Sequence, residues 1–181
     1  MLIEAAKACL LMVDMQERLL PAIHEFERVL ENCALLLQVA EKLDLPIIIS
    51  EQYPKGLGPT VPELESKNAT VFEKLSFSGY RDEKLRAHFK TLEDSGFKQI
   101  IVCGVEAHVC VLQTAVDLQQ AGFEVFVVAD ASSSRSADSA ALAWPRLRHH
   151  GVQVIDSEMA AFELAGKAGT PEFKAISALI K

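Results

Sequence analysis

Residues 99–131, QIIVCGVEAHVCVLQTAVDLQQAGFEVFVVADA, decide the fold. They open on an apolar run, 99–104, and pass into a stretch where Val109, Leu112, Ala115, Val116 and Leu118 recur at helical spacing. Gly122 then precedes a second apolar run, 124–129. A short β-rich run, an amphipathic helix, a glycine suited to the left-handed position past a helix end, and another β-rich run make one βαβ unit. Parallel strands need such a crossover, and near-continuous apolar runs are what strands covered on both faces look like.

The same grammar extends in both directions. Further strand candidates are 9–13, 46–50, 70–73 and 152–155. Phe26, Val29, Leu30, Cys33, Leu36, Leu37, Ala40 and Leu43 make a helical stripe after the first strand, and Leu85, Phe89 and Leu92 a shorter one before the fourth. Gly96 and Gly151 repeat the turn at Gly122. Pro145 should kink or shorten a helix over 138–150, and 170–181 reads as a last amphipathic helix with Pro171 at its first position. Residues 51–69, dense in Pro and Gly, have no clear periodicity and read as a long ordered loop of the pocket-wall kind. These features predict one domain over 1–181: an α/β fold, doubly wound, with a six-stranded parallel sheet between two helix layers.

Bulk properties narrow the function. Half of the 181 residues are hydrophobic and 24% are charged, the balance of a globular chain. A formal charge of −7 argues against nucleic-acid binding, which needs a basic face. No apolar run approaches the roughly 20 residues a membrane helix needs, and 8–13 lacks the basic flank of a signal peptide. Of the four cysteines, Cys9, Cys33, Cys103 and Cys110, three lie in strongly apolar segments, and none has zinc-site spacing. Free thiols in a reducing, cytoplasmic compartment are expected.

In open parallel sheets the ligand crevice lies beyond the carboxyl ends of the strands. Asp14 follows the first strand, Lys74 the third, and Cys110 stands a few residues past the fourth. Position alone leaves each open to a plainer role: an inert core thiol, a turn cap, a solvated charge.

The segment Gly104-Val105-Glu106-Ala107-His108-Val109-Cys110-Val111 resembles the nucleophile motif of the isochorismatase-like (cysteine hydrolase) superfamily. Residues 10–16 (LLMVDMQ) resemble its first strand with the catalytic aspartate, and 73–78 (EKLSFS) its lysine segment. Residues 129–131 (ADA), followed by Ser134 and Arg135, resemble its fifth-strand exit, and 51–64 (EQYPKGLGPTVPEL) the loop of isochorismatase-domain-containing hydrolases. The resemblance implies strand order 3-2-1-4-5-6, with Cys110 as nucleophile, Asp14 as general base and Lys74 as electrostatic support. It also implies an oxyanion hole from the backbone N–H groups of Glu106 and Cys110, and a cis peptide between Val105 and Glu106. Cys110 is expected to open a helix whose dipole favours the thiolate. Gln16, Tyr53, Phe77 and Tyr80, with Glu106, are candidate substrate-binding positions, although Gln16 could equally be exposed. Cys9, Cys33 and Cys103 read as structural, His108, His149 and His150 as solvated helix residues, and His24 as a loop residue.

One departure bears on chemistry. Nicotinamidases of this superfamily carry an Asp-x-His pair and a further His for a metal, where this chain has Glu51, Gln52 and Tyr53. No metal and no cofactor are therefore expected, and a cysteine nucleophile points to hydrolysis of a small amide or carbamoyl C–N bond through a thioester. The expected partners are a small-molecule substrate and further copies of the chain, with neither nucleic acid nor membrane. A non-catalytic scaffold of the same fold and a redox-reactive thiol are the competing readings.

Overall fold

A computed structural model describes residues 1–180; Lys181, the last residue of the expected terminal helix, lies outside them. Six strands form one sheet: β1 (Ala8–Val13), β2 (Ile47–Gln52), β3 (Ala69–Lys74), β4 (Gln99–Val105), β5 (Glu124–Ser133) and β6 (Gln153–Ile155). All neighbours are parallel, in the order β3-β2-β1-β4-β5-β6. The α-helices are α1 (Phe26–Lys42), α2 (Pro54–Leu57), α3 (Glu83–Asp94), α4 (Leu112–Gln120), α5 (Ala137–His149), α6 (Ser157–Ala165) and α7 (Pro171–Ser177).

The two-residue period of a strand explains the two layers. Leu10 and Met12 point to one face, with Ile47, Ile49 and Ile101, and meet Val29, Cys33 and Leu36 of α1 and Ala160 and Ala161 of α6. Cys9, Leu11 and Val13 point to the other, with Ile48, Ile100 and Val102, and meet Leu85 and Phe89 of α3, Ala115 and Leu118 of α4 and Leu147 of α5. Each large side chain removed from water in this way contributes roughly 1.5–3 kcal/mol.

The departures from the sequence reading lie mostly at element ends. β2 runs on to Gln52 and β5 to Ser133, because polar residues at the carboxyl edge still find ladder partners: Glu51 pairs with Glu73, Gln52 with Lys74, and Val105 with Ser133. Lys74 is therefore the last residue of β3, not the first beyond it. The 51–69 segment holds the end of β2, the short α2 and a 3-10 turn at Pro62–Leu64. α5 continues through Pro145 to His149. The sequence reading had no helix at Ser157–Ala165, whose apolar residues run nearly all round.

β4 leaves β1 little room at its end. Gly104 has φ 111°, and a β-carbon there would lie 2.1 Å from the Val13 carbonyl oxygen. Only glycine fits, so the two strand exits that flank the reversal of strand order stand in backbone contact.

Candidate active site

The reversal of strand order falls between β1 and β4, and the reactive side chains gather there. Asp14 is the first residue past β1. Its backbone is left-handed (φ 53°), and its N–H donates to the Ser50 carbonyl at 3.0 Å. Non-glycine residues held in this region cost free energy, and aspartate is among those that tolerate it best. The turn carries the carboxylate inward, where no part of Asp14 is exposed.

Lys74 reaches the same point from β3, two strands away. Adjacent strands lie about 4.8 Å apart, so its side chain must pass over the end of β2. Its Nζ lies 2.7 Å from Asp14 Oδ2, with neither side chain exposed. The Ser50 hydroxyl donates to Asp14 Oδ1 at 2.7 Å, and Lys74 Nζ donates to Gln52 Oε1 at 2.9 Å. Burial raises Asp14 above the ordinary carboxylate range, opposed by Lys74, by the Ser50 hydroxyl and by the Cys110 thiol. The net direction is upward, since removing a carboxylate entirely from water is the largest effect.

Cys110 approaches from β4 and is 7% exposed. It does not open a regular helix. Ala107–Val111 form a π-helical turn ahead of α4, with the N–H groups of Val109 and Val111 both donating to the Glu106 carbonyl. The expectation of a thiol already biased toward thiolate is corrected: burial first, and then the Asp14 charge, push Cys110 up to about 12. Lys74 and a backbone hydrogen bond from Glu106 pull the other way. At rest the thiol keeps its proton beside the Asp14 carboxylate.

The Val105–Glu106 peptide is cis. The Glu106 carboxylate turns away toward the exit of β5, where Oε2 accepts from the backbone N–H and Nε of Arg135, each at 3.0 Å. His108 is not solvated as expected: it is half-buried, with Nδ1 2.8 Å from the buried Ser134 hydroxyl.

The substrate-binding candidates separate. Tyr53, left-handed and half-exposed, lines a cavity of about 500 Å³ with Pro54, Lys55, Lys74, Leu75 and Ser76. Neither Cys110 nor Asp14 lines it. Phe77 is 55% exposed on the turn after β3. Tyr80 packs instead into the core between Phe89 and Phe123. Gln16 is neither exposed nor facing an opening. It is fully buried, and its amide donates to the carbonyls of Gln52 and Gly58 while accepting from the Gln52 N–H. Ser50 and Gln52 are the residues that sequence reasoning missed; the one signal for Ser50 was a lone hydroxyl ending the run Ile47-Ile48-Ile49.

Among the described residues, no group of three or more His, Cys, Asp and Glu is placed to hold a metal. No helix among them is long and apolar enough to cross a membrane.

A doubly wound parallel sheet with a cysteine, a buried carboxylate and a lysine gathered at its switch point defines an isochorismatase-like hydrolase fold. The chain belongs to that family, since the family described as Isochorismatase domain matches residues 8–159. It is 44% identical over 171 residues to isochorismatase domain-containing protein 2 of Danio rerio, covering 94% of this chain and 85% of that protein. Among solved structures, the MAR1 ribonuclease of Caenorhabditis elegans is 35% identical, with TM-score 0.92 over 99% of this chain and 92% of that one. The YcaC gene product of Escherichia coli, described as an octameric hydrolase of unknown specificity, is 28% identical, with TM-score 0.91 over 99% and 89%.

Proposed function

We propose that this chain, a single isochorismatase-like unit over its whole length, is a cysteine-dependent hydrolase of a small amide or carbamoyl compound, acting through a thioester. The observation that carries this reading is the buried Asp14–Lys74 pair, with the Cys110 thiol beside it at the switch point. A base raised above the ordinary carboxylate range lies beside a thiol that cannot ionise alone, so proton transfer and attack go together. Sγ adds to the substrate carbonyl carbon as its proton passes to Asp14. The developing oxyanion is held by the backbone N–H groups of Glu106 and Cys110, donors of a kind each worth about 10²–10³ in rate. Asp14 then protonates the leaving nitrogen and the C–N bond breaks. Water, deprotonated by Asp14, attacks the thioester; the C–S bond breaks and the thiol recovers its proton.

Lys74 keeps Asp14 oriented and offsets charge as the sulfur becomes anionic. No step needs a cofactor or metal. The half-exposed Tyr53 is the pocket wall in this reading. The octameric relative supports a homo-oligomer, and free buried cysteines support a cytoplasmic setting.

The test is ammonia release from a panel of primary amides and N-carbamoyl compounds, with intact-mass detection of an acyl adduct. Release by the parent and none by Cys110→Ala is expected. No release and no adduct on any compound hands the fold to the scaffold reading; reversible oxidation of Cys110 by peroxide without turnover favours the redox reading. The relative described as a ribonuclease places a short RNA in the panel as well. The net charge of −7 weighs against that substrate, and cleavage that survives Cys110→Ala would replace the amide reading.

A further inference from the structure

We infer that Gln52 is a positioning residue that holds the Lys74 ammonium against Asp14, and that Gln16 is the brace that holds Gln52. This rests on the reading of Asp14, Lys74 and Cys110 as the reacting set. Lys74 has to span from β3 to the end of β1, and Gln52, the last residue of β2, lies beneath the crossing. The ammonium has three donors; Asp14 Oδ2 takes one at 2.7 Å and Gln52 Oε1 another at 2.9 Å. The Gln52 amide cannot be reversed, because Nε2 donates to the Leu75 carbonyl at 2.8 Å. A flipped amide would set an NH₂ against the ammonium and an oxygen against a carbonyl oxygen.

Gln52 is itself pinned through its backbone. Its N–H donates to Gln16 Oε1 at 2.7 Å, and its carbonyl accepts from Gln16 Nε2 at 3.0 Å. The second proton of that Nε2 goes to the Gly58 carbonyl at 2.7 Å. Gln16 lies two residues past Asp14 and is fully buried, with donors and acceptor all used. One amide therefore ties the exit of β1 to the end of β2, and the next carries the tie to Lys74. A lysine left to Asp14 alone would keep its charge partner but lose the second direction that fixes the ammonium over the carboxylate.

The experiment follows alkylation of Cys110 by iodoacetamide against pH in folded protein, with peptide mapping. Cys9, Cys33 and Cys103 are fully buried and give the background. Gln52→Met keeps the bulk and removes the acceptor; the rate at pH 8 is expected to fall on the order of tenfold, the size of one hydrogen bond to a charged group. In a Lys74→Met background the same change should have no further effect, because Gln52 acts only through the ammonium. A bond that serves only to stabilise the fold would slow labelling equally in both backgrounds. A folded Gln52→Met with the parent's rate, or an equal fall in both backgrounds, overturns the assignment. Lys74→Met run alongside separates the levels. If it slows labelling and Gln52→Met does not, the positioning role fails alone; if it leaves labelling unchanged, the reading of the reacting set fails and the positioning role with it.

Discussion

Replacing Lys74 by Met removes the cation from an ion pair in which neither side chain is exposed. Met retains most of the stem volume, so the loss is chiefly electrostatic. The Asp14 carboxylate then keeps the Ser50 hydroxyl as its hydrogen-bonded side-chain donor, and stranding one partner of a buried pair costs about 3–5 kcal/mol. A second route gives a similar size. Asp14 can take up a proton instead, and holding at pH 7 a proton that an ordinary aspartate releases near about 4 costs roughly 4 kcal/mol, at about 1.4 kcal/mol per unit. This route carries a sign. A neutral Asp14 makes the folded state bind more protons than the unfolded one, so stability is present at low pH and drains away as pH rises above the ordinary carboxylate range. The parent, whose Asp14 is also raised by burial but held down by Lys74, has the same slope in weaker form. Urea denaturation at pH 5, 6 and 7 reads the difference. The gap between parent and variant should widen by up to about 1.4 kcal/mol per pH unit and reach about 3–4 kcal/mol at pH 7. A gap under about 1 kcal/mol at pH 7, the level of an exposed pair, or one that ignores pH would refute this reasoning.

Other expectations follow from single contacts. With its thiol pushed up to about 12, Cys110 should be alkylated about tenfold faster for each pH unit from 7 to 10; a plateau near neutral pH would mean the sulfur is already ionised. Gly104→Ala places a methyl 2.1 Å from the Val13 carbonyl and should cost about 4 kcal/mol or more, or prevent folding. A melting temperature equal to the parent's would contradict the close approach. Thr114→Val takes the acceptor from the Gly79 N–H, bonded at 2.8 Å, and should destabilise by about 1–3 kcal/mol, with faster hydrogen exchange at Gly79 as the local reading. Phe77→Ser, at a half-exposed turn position, should leave thermal unfolding within about 0.5 kcal/mol of the parent.

The strands were legible because each is covered on both faces and must be apolar throughout: β1 and β4 read as unbroken runs. The αβ turns were legible through glycines that do have positive φ, 96° at Gly96, 99° at Gly122 and 83° at Gly151. The residues gathered at the switch point could be proposed from strand exits and motif resemblance. What surrounds them could not. Gln16 finds its partners 36 and 42 residues away, and nothing local to residues 10–16 distinguishes a buried brace from an exposed amide. The protonated state of Cys110 was misread for a similar reason. Sequence shows a residue near a helix start, whereas its ionisation depends on burial behind the π-helical turn and on the Asp14 charge. Tyr80 was a candidate pocket wall, but in the fold its ring packs between Phe89 of α3 and Phe123.

The contact between Gly104 and Val13 bears on how the protein could be re-engineered. The spacing of the two strand exits is set by main chain meeting main chain, and any side chain larger than hydrogen at Gly104 would push them apart. Residues 13–16 and 104–110 would have to be transplanted together, as one cassette, if the chemistry were moved to another scaffold. The exposed side chains of Tyr53, Leu75 and Phe77 carry no such constraint, and are where a library meant to alter substrate choice should concentrate its diversity.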